Sequence, residues 1–222
     1  MATLLSTIIT RARTKLLETT ASFWTDAELL DDCLAGCRDL WGSVLELNEE
    51  HFFTVDVTNV SLAANTATIT GVPSDCFRVM LIEPRVTSPS TTGYNIAFVP
   101  REYNSEEFRD GLASDPLNTS QGGEIAYAIS AAGPPVGAPT IYVAPQVSST
   151  LNLRLVYLPS LGTLTAGSNN PIPGESDNAL VAWTVAWARA KERDDTSPDP
   201  LWMRMYEREK AIILDRLSPR QS

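Results

Sequence analysis

Few residues in this chain are of types and spacings that could do covalent or metal chemistry. The single histidine, His51, follows Glu49 and Glu50 and precedes Phe52 and Phe53. An imidazole beside a carboxylate is the pairing of a general base with an orienting acid. No nucleophile elbow, phosphate loop or zinc-binding histidine pair accompanies it, so His51 reads as a surface or structural histidine. Paired carboxylates occur at Glu49–Glu50 and Glu106–Glu107, and glycoside hydrolysis needs two of them about 5 to 10 Å apart across a sugar. Neighbours along a helix or loop point apart, and nothing nearby raises one pKa selectively. Cys33 and Cys37 stand one helical turn apart, with Cys76 remote from both. That spacing suits neither a disulfide nor, with one unrelated histidine, a zinc site, and it reads as small apolar packing. Gly122–Gly123 lacks the strand, spaced glycines and helix of a dinucleotide site. Asn59-Val60-Ser61 and Asn118-Thr119-Ser120 match the glycosylation pattern, but no basic region, apolar run and cleavage site of a secretory signal precede them. The expectation is no catalytic residue, no cofactor and no metal.

The elements that carry these residues follow from periodicity. From Thr3 to about Glu18, Leu4, Leu5, Ile8, Ile9, Ala12 and Leu16 recur at helical spacing, with Arg11, Arg13 and Lys15 off the stripe. Thr25 with Glu28 three residues on is a capping-box signature. The helix it opens continues through Leu29, Leu30, Cys33, Leu34, Cys37, Leu40, Trp41, Val44 and Leu45. Asp26, Asp31, Asp32, Asp39 and Glu46 give its other side an acidic, solvated character. From His51 the period changes to two. Phe53, Val55 and Val57 alternate with polar residues, and Ala67 and Ile69 before Gly71-Val72-Pro73 predict the return strand of a hairpin. Further strands are predicted at 77–82, 94–99, 125–129, 141–143 and 151–158, with a loop or short helix at 105–111. Helices resume near Ser176, where residues 179–190 are apolar on nearly every side, and again at Asp199-Pro200, an N-cap and first-turn pair leading to about Pro219. The fold class is therefore α+β. Helical segments at 1–50 and 172–222 form a bundle around a β-rich antiparallel insertion at 51–171, sandwich- or barrel-like.

With 43% hydrophobic residues over 222 positions the chain can bury a substantial core. No run of about 18 apolar residues crosses a membrane. The formal charge is −10, with 20 acids against 9 bases in residues 1–188 and 8 bases against 7 acids in 189–222. A surface of that sign repels DNA, whose binding relies on clustered Lys and Arg. Trp24, Trp41, Trp183 and Trp187 lie on helical apolar stripes, where core packing explains them. What remains are surfaces for partners: an acidic side, a polar segment at 100–123 and an Arg-rich terminal helix.

The combined pattern resembles the head-to-tail adaptor, or connector, proteins of tailed bacteriophages. The similarity is carried by the short first helix, by Phe23-Trp24-Thr25-Asp26-Ala27-Glu28-Leu29-Leu30 and by Pro73-Ser74-Asp75-Cys76-Phe77-Arg78-Val79. Ile141-Tyr142-Val143-Ala144-Pro145, Leu155-Val156-Tyr157-Leu158-Pro159 and Ala179-Leu180-Val181 extend it over nearly the whole chain. The resemblance implies a virion protein of the neck, made in the host cytoplasm. It further implies a ring of about twelve copies between portal protein and tail or nozzle protein, through which DNA passes at genome ejection without specific binding. Portal contacts would fall on Arg204, Arg208, Lys210, Arg216 and Arg220, and a tail-facing loop on Tyr103, Glu106, Glu107 and Arg109. A carbohydrate- or receptor-binding β module displaying Tyr94, Tyr103 and Tyr127 is the alternative, and a hydrolase using Glu106 or Glu107 is a third class.

Overall fold

In the computed structural model the described residues are 3–18, 20–47, 52–85, 95–130, 139–172 and 175–218. His51, Glu49, Glu50, Tyr94 and Arg220 lie outside them. Two compact units emerge, a helical one from Met1–Phe52 with Leu161–Ser222, and a β-rich one from Phe53–Ser160.

The helical unit comprises α1 (Leu5–Leu16), α2 (Asp26–Leu47), α4 (Asp177–Glu192) and α5 (Pro200–Leu217); α3 (Glu106–Ala113) belongs to the β-rich unit. The predicted capping box opens α2. Thr25 N–H donates to Glu28 Oε2 at 2.8 Å, and Glu28 N–H donates to Thr25 Oγ1 at 3.2 Å, satisfying two of the helix's orphan donors. Asp199 caps α5 by accepting from Leu201 and Trp202 N–H, with Pro200 in the first turn. At the end of α1 Leu17 adopts a left-handed conformation (φ 61°), which lets Glu18 N–H donate back to the Arg13 carbonyl at 3.1 Å.

The apolar α4 lies at the centre and packs on α1, α2 and α5, while α2 also packs on α1 and α5. Leu5, Ile8, Leu29, Cys33, Cys37, Leu40, Leu180, Val185 and Tyr206 form its core and are shut off from solvent. Gly36 is required where α2 crosses α4, because a Cβ there would stand 2.9 Å from the Trp183 ring. All three cysteines are free and buried.

In the β-rich unit, β1 (Thr54–Asp56), β2 (Ser61–Leu62), β3 (Ile69–Thr70), β4 (Cys76–Pro84) and β8 (Leu151–Pro159) form one sheet. β8 is the hub: β1 and β2 lie in tandem along one edge of it, Thr54 opposite Tyr157 and Leu62 opposite Leu151, and β4 runs along the other. The interruption between β1 and β2 is a turn in which Asp56 Oδ1 accepts from Thr58 and Asn59 N–H. The second sheet contains β5 (Ile96–Pro100), β6 (Gly123–Ser130) and β7 (Thr140–Ala144). Residues from both sheets, among them Ile125, Ile141, Leu153 and Leu155, share one core.

Three expectations change. The hairpin predicted between residues 53–57 and 67–69 does not form: β1 pairs with β8, and the tight antiparallel return joins β2 to β3. The alternation located the segment but not its buried face, since Val55 is 45% exposed, and strand partners are chosen by packing at a distance. The middle is not wholly antiparallel, since β5 and β6 are parallel, joined across α3, and no barrel closes. Arg13, placed on the solvent side by periodicity, is only 6% exposed. It donates to Asp26 Oδ1 through Nε and Nη2 (3.0 and 2.6 Å) and to the Trp24 carbonyl at 2.8 Å, pinning α1 to the start of α2. The mixed α+β class itself, five helices and two sheets, is as read from the sequence.

Candidate functional site

The order of helices around α4 leaves one side of it open. Buried Leu180 and Thr184 and half-buried Trp183 sit on one side of α4; Asn178, Val181 and Ala182 sit two residues before each. At 100° per residue that offset places them on the opposite side. Trp183 meets Gly36 of α2, so the Asn178 side faces away from α2. There α1 and α5 stand apart as walls of a groove of about 470 Å³ with α4 as its floor.

The walls differ in chemistry. α1 contributes Arg11, Thr14 and Lys15, and α5 contributes Trp202, Met205 and Glu209. Arg11 is partly engaged, donating to Asn178 Oδ1 at 2.5 Å and lying 3.6 Å from Asp177. Lys15 and Glu209 have no ion partner among the described residues. Leu201 and Met205, one turn apart on α5, are 64% and 45% exposed. An apolar pair beside a groove rimmed by unpaired charge has the composition common at protein–protein contacts. No cofactor chemistry follows from this donor set.

Of the α5 cations, Arg204 and Arg208 are exposed without an ion partner among the described residues, whereas Arg216 reaches Glu175 at 3.3 Å. Lys210 is committed internally. Its Nζ donates to Asp39 Oδ2 at 2.6 Å, and the same oxygen accepts from the Tyr206 hydroxyl. Burial pushes the Asp39 carboxyl up, but these donors outweigh it and hold the pKa below the usual range. Asp39 thus ties α2 to α5. At Asp32 burial wins: with Asp31 and Glu28 close by, it raises the carboxyl to about 6. Glu28 is held at about 2, chiefly by the hydrogen bond from Lys191.

In the β-rich unit α3 forms where the short helix was expected, capped by Ser105 Oγ accepting from Phe108 N–H at 3.3 Å. Glu106 and Arg109 are exposed, and Glu107 pairs with Arg101 at 3.1 Å. Tyr103 is brought against Phe108 and Tyr142, with ring centroids 5.5 and 4.8 Å away. Tyr127 is buried at 7% exposure and so offers no stacking face to a sugar.

The groove itself was missed in the sequence. The signal available was that α5 carries more apolar positions, Leu201, Trp202, Met203, Met205, Tyr206, Ile212 and Ile213, than one packed face of a helix uses.

A search of curated proteins returned no match. A family model described as SU10 adaptor protein matches residues 3–222, a span that takes in both units and both groove walls. The chain therefore belongs to the SU10 adaptor protein family of bacteriophage head-to-tail adaptors.

Proposed function

We propose that this adaptor is a structural subunit of the virion neck that assembles into a ring of about twelve copies, docks on the portal protein and presents its other side to the tail or nozzle protein. The observation that carries this reading is the family match along 3–222, joined to an open, charge-rimmed groove on the helical unit. The chain performs no catalytic step. Arg204 and Arg208, exposed on α5, are the portal-directed cations, joined in this role by Arg216 and, further along the sequence, Arg220, while Lys210 acts by holding α5 in place through Asp39. Tyr103, Glu106, Glu107 and Arg109, at and before α3, face the tail.

DNA passes through the ring without being gripped. A net charge of −10 makes contacts with phosphate repulsive on average, which favours sliding over sticking. The protein is made and assembled in the host cytoplasm and resides in the neck of the mature particle. No helix among the described residues is long and apolar enough to cross a membrane.

Electron microscopy of the purified chain mixed with portal rings tests the reading. An added layer of density following the portal's symmetry is expected. Bare portals beside folded, monomeric chain would overturn it.

A further inference from the structure

The groove and helix α2 lie on opposite sides of α4. Among the helices of the helical unit α2 is the one packed on α4 away from the groove, touching both α1 and α5. Its own outward side is set by the same arithmetic. Cys33 and Gly36 are buried, and Asp31 and Arg38, two residues before and after them, project the other way. Asp31 and Arg38 are seven residues, or two turns, apart on one side of the helix, about 10 Å along its axis. Both are exposed, and neither has an ion partner among the described residues. Half-exposed Leu34 and Ala35 lie between them; Leu34 packs in part on the unit's own core, and with Arg38 it lines a shallow recess shared with Leu161 and Leu164, into which a second copy's side chain can reach.

The two sides are complementary. The groove offers an unpaired cation, Lys15, on one wall, an unpaired anion, Glu209, on the other, and Met205 between apolar neighbours. The α2 surface offers an unpaired anion, an unpaired cation and a short apolar stretch between them. A contact joining opposite sides of one fold is heterologous, and repeated with a closing rotation it generates a ring rather than a dimer.

We infer that the α1/α5 groove of one copy receives the outward side of α2 from a second copy, with Lys15 meeting Asp31 and Glu209 meeting Arg38. The inference rests on the ring reading above and names the subunit contact within it. Met205 and Leu34 supply the apolar centre, and the two charge pairs set register and direction. Exposed ion pairs add little affinity but penalise wrong partners.

The full-length double variant Lys15→Cys with Asp31→Cys, oxidised at high concentration with and without portal rings, tests this directly. Both positions are exposed, and the native cysteines are buried, so the wild-type chain is the blank. A ladder of disulfide-linked dimers, trimers and higher species is expected on a non-reducing gel, with each single variant stopping at dimers. In parallel, Lys15→Glu should raise the concentration needed for assembly by at least about tenfold, and adding Asp31→Lys to it should restore assembly. Rings of wild-type chain in the microscope together with no ladder, or a ladder that stops at dimers, would overturn the assigned contact while leaving the ring intact. Absence of any ring, free or on portals, would overturn both.

Discussion

The two units divide tryptophan and tyrosine almost completely. All five tryptophans, at 24, 41, 183, 187 and 202, belong to the helical unit, and five of the six tyrosines belong to the β-rich unit, Tyr206 being the exception. The partition follows the packing each unit needs. Between helices, large indoles fill irregular space against small residues, as Trp183 does over Gly36. In the sheets, tyrosines fit a pleated surface with the hydroxyl directed to a polar rim, as when Tyr157 donates to Asp75 at 3.2 Å. The helical unit also reinforces its core with charged cross-links, Arg13 to Asp26 and Lys210 to Asp39, where the β-rich unit relies on strand pairing around β8. Tryptophan fluorescence consequently reports on the helical unit, and tyrosine absorbance mainly on the other.

That contrast can be broken at either core. Leu180→Ala in α4 and Leu155→Ala in β8 remove side chains with no exposure, and each should cost about 2–5 kcal/mol. Leu180→Ala is expected to lower the midpoint of the tryptophan transition in urea, and Leu155→Ala that of the tyrosine transition. A single shared midpoint in both variants would show one cooperative unit in place of two.

The cross-links come next in size. Tyr206→Phe keeps the ring against Trp183, 4.8 Å between centroids, and deletes only the donor to Asp39. Losing a hydrogen bond to a charged group should cost about 1.5–3 kcal/mol, read from the same tryptophan melt. No loss would mean that Lys210 alone satisfies Asp39. Thr25→Ala removes the capping box of α2 and should cost about 0.5–2 kcal/mol. Ser105→Ala on the shorter α3 should leave the tryptophan signal unchanged.

The smallest effect depends on pH. Burial, with Asp31 and Glu28 nearby, lifts the Asp32 carboxyl from the ordinary aspartate range to about 6. A raised acid stabilises the fold below the unfolded value, and that contribution is lost as pH rises through the folded one. Asp32→Asn should therefore raise the melting temperature of the helical unit at pH 7.5, with the gain fading between about pH 6 and pH 4. A gain independent of pH would point to packing and away from charge.

Much of the helical unit was legible because its signals are local. Thr25 with Glu28, and Asp199 with Pro200, mark helix starts within four residues, and the stripe from Leu29 to Val44 identifies the buried side of α2. The strands were legible as segments, but not as pairs, and Val55, Phe77 and Leu81 stand exposed where alternation or apolar character suggested a buried side. β1 and β3 look like two arms of one hairpin, and only β8, nearly a hundred residues later, decides that β1 belongs to it. Phosphate, metal and nucleophile motifs were searched for by spacing, and a docking groove has no spacing. Its walls combine Arg11 and Lys15 with Trp202 and Met205, almost two hundred positions apart, and its floor is a stretch of α4 that reads only as apolar. Arg13 and Asp39 were read as solvated because periodicity says which side of a helix is polar, not which polar residue finds a buried partner.

The path of the chain through α4 sets when the groove can exist. α1 and α2 emerge from the ribosome with their apolar stripes bare, and the element that covers them, α4, follows the whole β-rich unit. Closing so long a loop adds only a small entropic penalty, because the cost grows with the logarithm of length, but it imposes an order in time. The wall formed by Trp202 and Met205 arrives later still, with α5. A nascent or truncated chain lacks that wall and has no groove to offer, so the surface inferred here to join copies appears only after translation has passed through α5, a built-in delay against premature association during synthesis.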